Sequence, residues 1–220
     1  MALLFLIRHG LTAQTGHVLY GQRSGVVLDH RGRAQAEALV HRFAGVRLTA
    51  AYSSPLERCV QTLVPLAAAQ RLDVHPSEPL IEMDAGAWTG KRLSAVRRQK
   101  AWATVQREPS AFTFPGGGEG FSHAQDRVVA ELLRIARRHP RGRVAVGTHG
   151  DIARIALAHF LGTPLDAFQH IVVDTASVSV LRVDRGRGYV LLLNDTGGLG
   201  AFGSAPTPPW EVAPDGQVRG

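Results

Sequence analysis

The first ten residues constrain the fold of this chain more than any other stretch. Residues 2–7 (ALLFLI) form a continuous apolar run, which is typical of a strand buried on both faces of a parallel sheet. The run ends in Arg8, His9 and Gly10, so a cation, an imidazole and a glycine follow the strand directly. Open α/β sheets bind ligands at the carboxyl ends of their strands. The pattern therefore predicts a ligand site here, with a polar surface turn as the alternative.

A second predicted strand ends in the same way. Residues 143–147 are typical of a buried strand, and Thr148, His149 and Gly150 follow them. If the two strands are neighbours in one sheet, both imidazoles face the same pocket. Histidine can serve as nucleophile, base or acid near neutral pH, so a pair of such side chains indicates catalysis.

Strands alternate with helices along the chain. We predict further strands at residues 50–53, 177–183 and 189–193, the last two antiparallel, and helices at 31–43, 93–107, 122–138 and 151–161. Leu80 and Ile81 are expected to be extended. This order predicts an α/β fold: a three-layer α/β/α sandwich around a mostly parallel, mixed sheet. Residues 1–198 are expected to form one catalytic domain, and residues 199–220 a tail rich in glycine and proline.

Two helix starts carry capping signals. The Ser-Pro pair at residues 54–55, with Glu57 three residues after the serine, predicts a helix capped by the serine. Pro65 is expected to kink or end that helix. Ser122 and Gln125 have the spacing of a second capping box, which predicts the start of a long helix reaching about residue 138.

Composition restricts the class of protein. The net charge of +7 and the pI of about 10.6 favour anionic partners. Because Lys and Arg do not cluster, a nucleic-acid binder is only an alternative. The single cysteine, Cys59, excludes an internal disulfide and a multi-cysteine metal site, and it favours the cytoplasm. The N-terminal apolar run lacks a basic n-region and is too short for a signal peptide or a membrane span.

Four stretches in order resemble the motifs of the histidine phosphatase superfamily, also called the phosphoglycerate mutase-like family. The resemblance covers roughly residues 2–195, and the stretches 115–119 and 175–180 further resemble a bacterial phosphatase subgroup. The four stretches are 6–10 (LIRHG), 53–62 (SSPLERCVQT), 80–90 (LIEMDAGAWTG) and 147–150 (GTHG).

The resemblance implies a metal-independent phosphomonoester hydrolase that acts on a small phosphorylated metabolite. It assigns His9 as the nucleophile that becomes a phosphohistidine. Arg8 and Arg58 would hold the phosphoryl oxygens, and His149 would donate to them in the transition state. Glu82 would be the general acid for the leaving alkoxide and then the base for water.

Two points stay open within the resemblance. Asp84 lies two residues from Glu82, and chemistry alone does not choose between the two carboxyls. The family often has a polar residue where this chain has Leu11, and an asparagine where it has Thr15; Gln14 could substitute. The expected phosphate contacts are Arg8, Thr15, Arg58, His149 and Gly150.

Other functions and partners follow from the same residues. A phosphoglycerate mutase-type transfer and a non-catalytic phosphate-binding module are the alternatives. Pro65 stands six residues after Cys59, where a cysteine phosphatase needs arginine. We expect no cofactor, metal, nucleic acid or membrane partner, and we leave a homodimer open. Substrate contacts are expected in residues 16–28 and 84–121.

Overall fold

The computed structural model describes residues 1–197, so the predicted tail at 199–220 lies outside the described residues. Six strands form one sheet: β1 Ala2–Arg8, β2 Ala50–Ser53, β3 Val74–Pro76, β4 Arg143–Thr148, β5 Val178–Asp184 and β6 Arg187–Asp195. The helices are α1 His30–Arg42, α2 Glu57–Ala69, α3 Leu93–Val96, α4 Lys100–Arg107, α5 Phe121–Arg138 and α6 Gly150–Leu161. Short 3₁₀ turns span Glu78–Leu80, Gly86–Trp88, Pro109–Ala111 and Leu165–His170.

Strand β1 lies inside the sheet, whose order is β3-β2-β4-β1-β5-β6. It pairs in parallel with β4 and antiparallel with β5. The register places Arg8 opposite Thr148, and the His9 amide donates to the Thr148 carbonyl at 2.9 Å. The two histidine-ending strands are therefore neighbours, which is the condition for a shared pocket. The predicted mostly parallel, mixed sheet is confirmed.

Alternate residues of β1 build two separate core layers. Leu4 and Leu6 pack on one face, in the layer that contains residues of α5 and α6. Phe5 and Ile7 pack on the other face, in the layer that contains residues of α1 and α2. Burial on both faces explains why the run is apolar at every position instead of alternating.

Both predicted helix caps are wrong, because tertiary partners take the capping side chains. Helix α2 begins at Glu57, and no side chain caps it; the Ser54 hydroxyl bonds to His149 instead. Helix α5 begins at Phe121, also without a side-chain cap. The Ser122 hydroxyl donates to the Ser110 carbonyl, and the Gln125 amide donates to the Ile155 carbonyl.

Three further boundaries differ from the prediction. Helix α2 continues through Pro65 to Ala69, because its buried face stays packed on the sheet despite the missing hydrogen bond. The single helix predicted at 93–107 is two helices, and Gln99, which precedes α4, accepts a hydrogen bond from the Trp88 indole at 2.9 Å. Leu80 ends a 3₁₀ turn, whereas Ile81 is extended, so the expected extended pair is found only at Ile81. No helix within residues 1–197 is long and apolar enough to cross a membrane.

Candidate active site

A cleft lies at the carboxyl ends of β1 and β4, and we call it the phosphate cleft. It is defined by Arg8, His9, Arg58 and Glu82, which all line it. His149 lies behind it, fully buried, with its ring centroid 5.3 Å from that of His9. The empty volume is about 590 Å³ including the open mouth. The fold thus brings together all five residues that the sequence singled out as candidate catalytic groups.

The His9 imidazole is held as a neutral ring with one nitrogen available. Its Nδ1 lies 2.8 Å from the Gly10 carbonyl oxygen; since a carbonyl only accepts, Nδ1 carries the proton. Burial, and then the positive charges of Arg58 and Arg8, lower the pKa of His9 to about 3. Nε2 makes no hydrogen bond to a described residue and keeps its lone pair. His9 therefore has the form that a nucleophile requires.

Two arginines present uncompensated positive charge to the cleft. The Arg58 guanidinium donates to the carbonyls of Gly21 at 2.9 Å and Arg23 at 3.4 Å. Arg8 donates to the Val173 carbonyl at 2.7 Å, while its buried Nε has no partner. Among the described residues, neither guanidinium lies within 4.0 Å of a carboxylate. Burial, followed by the nearby positive charge of Arg154, lowers the pKa of Arg8. Such desolvated cations favour a bound anion.

His149 directly precedes α6, and its ring is oriented by a hydrogen bond with Ser54. Its Nε2 lies 2.8 Å from the Ser54 hydroxyl, and its Nδ1 lies 3.7 Å from Glu82 Oε2. When Ser54 donates to Nε2, the ring proton lies on Nδ1, the nitrogen on the Glu82 side. Burial, and then the charge of Arg58, lowers the pKa of His149 well below the usual histidine value. In this tautomer His149 is a neutral ring that can donate a hydrogen bond through Nδ1.

Cys59 is inert in this setting. It is fully buried, and its thiol donates to the Thr148 carbonyl at 3.4 Å beside the His149 ring. Burial raises the pKa of the thiol far above its usual value, so the thiolate does not form at neutral pH. A cysteine nucleophile is excluded.

The structure separates the two carboxyls that the sequence left as rivals. Glu82 lines the phosphate cleft, and its Oε1 accepts a hydrogen bond from the Met83 amide at 3.0 Å. Burial, and then the negative charge of Asp151, raises the pKa of Glu82 to about 7, although Arg58 opposes this shift. The Asp84 carboxylate instead accepts from the Gly86 amide at 2.9 Å and stabilises a turn. Of the two carboxyls, Glu82 is the one that lines the cleft and has a raised pKa, which are features expected of a proton-transfer group.

The other two residues predicted to contact phosphate, Thr15 and Gly150, occupy different places: only Thr15 lines the cleft. Thr15 lines the cleft, where its hydroxyl accepts from the Thr12 amide at 2.9 Å and pairs with the Thr12 hydroxyl. Gly150 begins α6, and a Cβ added there would lie 3.1 Å from Arg8 Nε. The absence of a side chain at this glycine makes room for the guanidinium. Direct phosphate contact by Thr15 and Gly150 stays a prediction.

Several supporting residues were missed by sequence reasoning. Ser54 was interpreted as a cap, and Asp151 only as part of a helix start. The Arg127 guanidinium donates to the carbonyls of Ile81 and Glu82, and forms an ion pair with Glu119 at 2.7 Å. It thereby holds the segment that carries Glu82. The available signal was the position of Ser54 inside the motif at 53–62 and of Asp151 directly after the motif at 147–150, whereas nothing local marks Arg127.

Comparison with known proteins gives a consistent result. The family model of the histidine phosphatase superfamily (branch 1) matches residues 4–196. Phosphoserine phosphatase 1 of Hydrogenobacter thermophilus is 31% identical over 210 residues, which cover 92% of this chain and 96% of that protein. The adenosylcobalamin/alpha-ribazole phosphatase of Escherichia coli is 26% identical over 87% of this chain and 95% of its own length. The structure of Bacillus stearothermophilus YhfR is similar with a TM-score of 0.81 and 28% identity, covering 89% and 98% of the two chains.

Proposed function

We propose that this chain, which belongs to the histidine phosphatase superfamily (branch 1), hydrolyses phosphate monoesters of a small metabolite through a phosphohistidine on His9. The observation that carries the proposal is that His9, whose Nδ1 is held by the Gly10 carbonyl, lines a cleft together with two arginines that have no carboxylate within 4.0 Å among the described residues. The lowered pKa of His9 supports it. Residues 1–198 would be the catalytic domain. The cytoplasmic location, the absence of nucleic-acid and membrane partners, and the homodimer stay predictions.

In the first step, the ester phosphate binds to Arg8 and Arg58, with His149 donating to a third oxygen. His9 Nε2 attacks phosphorus in line, so the phosphorus–nitrogen bond forms as the bond to the ester oxygen breaks. The Glu82 carboxyl gives its proton to the departing alkoxide.

In the second step, water attacks the phosphorus of phospho-His9. The Glu82 carboxylate accepts the proton of this water, and the phosphorus–nitrogen bond breaks with its electron pair returning to Nε2. Inorganic phosphate leaves, and both His9 and Glu82 regain their starting protonation states.

The competing function is a mutase, and water access distinguishes the two. A mutase must keep water from the phosphohistidine while its product reorients. Here the Glu82 side chain is 19% exposed, so water reaches the group that would activate it. We expect inorganic phosphate to appear in step with substrate loss, measured by phosphate release and by NMR of the ester. Conversion of 3-phosphoglycerate to its 2-isomer faster than phosphate release, stimulated by 2,3-bisphosphoglycerate, would instead establish the mutase.

Metal removal is expected to have little effect on the rate. Arg8 and Arg58 supply the positive charge that a divalent ion provides in other phosphatases, and His149 adds a hydrogen bond. After dialysis against EDTA, hydrolysis of p-nitrophenyl phosphate should stay within about twofold of the untreated rate. The matched sample receives the same dialysis followed by excess Mg²⁺. Loss of activity that a divalent ion restores would contradict the proposed site.

A further inference from the structure

A second cavity adjoins the phosphate cleft, and we call it the side cavity. Its walls include Leu93, Trp102, Phe121 and Phe168, which define it here. Its empty volume is about 860 Å³ including its mouth. The two cavities are neighbours, since their linings share Leu19, Phe114 and Asp151.

The floor of the side cavity is apolar and tightly packed. Phe121 and Phe168 are each 1% exposed, and their ring centroids lie 5.2 Å apart. Phe114 packs on Phe121 at 5.7 Å, and Trp102 packs on Trp88 at 6.2 Å. Closely packed rings of this kind keep their arrangement, so polar groups beneath them stay covered. The floor therefore favours an apolar, preferably flat, occupant.

Two of the charged groups of the side cavity are paired with each other. Arg154 and Asp151 form an ion pair at 3.2 Å, although the buried Arg154 Nε has no hydrogen-bond partner among the described residues. The Gln169 amide donates to the Val105 carbonyl at 2.9 Å. A small zwitterion placed beside this ion pair would lose hydration without gaining an uncompensated opposite charge there. An exposed arginine, Arg97, lines the cavity at its outer side.

The side cavity opens from the part of the phosphate cleft where the leaving alcohol must lie. The ester oxygen has to face Glu82, which protonates it. Asp151 lies close enough to Glu82 to influence its ionisation, and it lines both cavities. A third cavity also adjoins the phosphate cleft, but its lining includes the polar, exposed side chains of Gln14, His17, Arg92 and Ser94. The alcohol is thus directed toward aromatic walls.

Building on the proposed function, we propose that the preferred substrates are phosphate monoesters of alcohols with a ring-bearing, largely apolar body. The phosphoryl group occupies the phosphate cleft, and the ring occupies the side cavity between Trp102 and the Phe121–Phe168 floor. Small polar esters such as phosphoserine would use only the phosphate cleft.

A series of primary-alcohol esters tests this preference on the unmodified protein. Ethyl phosphate, 2-phenylethyl phosphate and 2-(2-naphthyl)ethyl phosphate have leaving groups of similar reactivity, so differences in kcat/KM report contacts with the alcohol. We expect kcat/KM to rise at least about tenfold from the ethyl to the naphthylethyl ester, which corresponds to about 1.4 kcal/mol. Equal values, or a preference for phosphoserine over the ring esters, would overturn the proposal.

Variants localise the effect. Trp102→Ala should lower kcat/KM for the naphthylethyl ester at least about fivefold more than for ethyl phosphate, because it removes one ring of the wall. Leu161→Ala, at an exposed position outside the side cavity, is the control and should change neither value. Leu93→Ala repeats the measurement if Trp102→Ala does not fold. An equal loss for both esters in these variants would show that the side cavity does not select the alcohol.

Failure of the proposed function has a different signature. In that case no ester, including p-nitrophenyl phosphate, is hydrolysed and no phosphohistidine forms. Calorimetric titration then compares the affinities of ethyl and naphthylethyl phosphate, which tests the side cavity without requiring turnover. At least about tenfold tighter binding of the ring ester supports the side cavity, and equal affinities overturn it.

Discussion

His9→Ala abolishes turnover and leaves a folded protein; this is the largest effect that we expect. The substitution removes the only nitrogen that the mechanism uses as nucleophile, so kcat should fall at least roughly 10⁴-fold. The fold should persist because the one hydrogen bond of the imidazole goes to the adjacent Gly10 carbonyl. Steady-state kinetics with p-nitrophenyl phosphate measure the loss, and circular dichroism measures the fold. His41→Ala, at an exposed position on α1, is the matched control and should keep full activity.

The same experiment is extended by trapping the intermediate. When the unmodified protein is mixed with ³²P-labelled ester and quenched with alkali, an acid-labile label should appear on the peptide that contains residue 9, and none should appear with His9→Ala. Label on a serine or on Cys59 would contradict the mechanism. Binding of phosphate with neither label nor turnover in the unmodified protein would instead establish the non-catalytic phosphate-binding module.

Glu82→Gln should separate esters according to their leaving groups. An alkoxide needs a proton as it departs, whereas nitrophenolate hardly does. We therefore expect ethyl phosphate hydrolysis to slow by roughly 10²–10⁴-fold, and p-nitrophenyl phosphate hydrolysis to slow far less in its phosphorylation step. The control is Asp84→Asn, which removes a carboxylate that stabilises a turn and should affect both esters equally and modestly. If the two variants exchange these properties, Asp84 is the acid.

The pH dependence follows from the same carboxyl. Because the pKa of Glu82 is raised to about 7, the acid form dominates below neutral pH and disappears above it. The ratio of kcat/KM for ethyl phosphate to that for p-nitrophenyl phosphate should thus fall as pH rises through about 7. Each kcat/KM is first corrected for the ionisation of that ester's own phosphate group, which is titrated separately because the two esters ionise over different pH ranges. Since the pKa of His9 is lowered to about 3, the nucleophile stays unprotonated across this range. Glu82→Gln should remove the decline, and a ratio that rises with pH would exclude Glu82 as the acid.

Much of the fold could be predicted because its signals are local. The apolar run at residues 2–7 indicates a strand buried on both faces, and the structure places β1 between two core layers. Two strands that each end in histidine and glycine indicated one shared pocket, and their parallel pairing brings the imidazoles together. Periodicity and strand ends are properties of short segments, so they can be recognised without knowledge of distant contacts.

Helix starts were less predictable because distant groups compete for the same side chains. Ser54 has the sequence context of a cap, yet it bonds to His149, 95 residues further along the chain. Ser122 and Gln125 bond to other segments in the same way. A cap gained by a local hydrogen bond is worth only about 1 kcal/mol, so a buried polar partner that would otherwise remain unsatisfied readily outweighs it.

By itself, the sequence determined the α/β class and the mostly parallel, mixed sheet, and its resemblance to a known family singled out the five residues that meet at or directly behind the phosphate cleft. Only the tertiary structure distinguishes Glu82 from Asp84, because two carboxyls two residues apart differ in their neighbours and not in sequence context. The lowered pKa of His9 also depends on burial and on Arg58 from another element. The side cavity likewise exists only after α4, α5 and the 165–170 turn pack together. Desolvation and charge interactions act through space, and this is why the chemistry of the site could not be read from spacing along the chain.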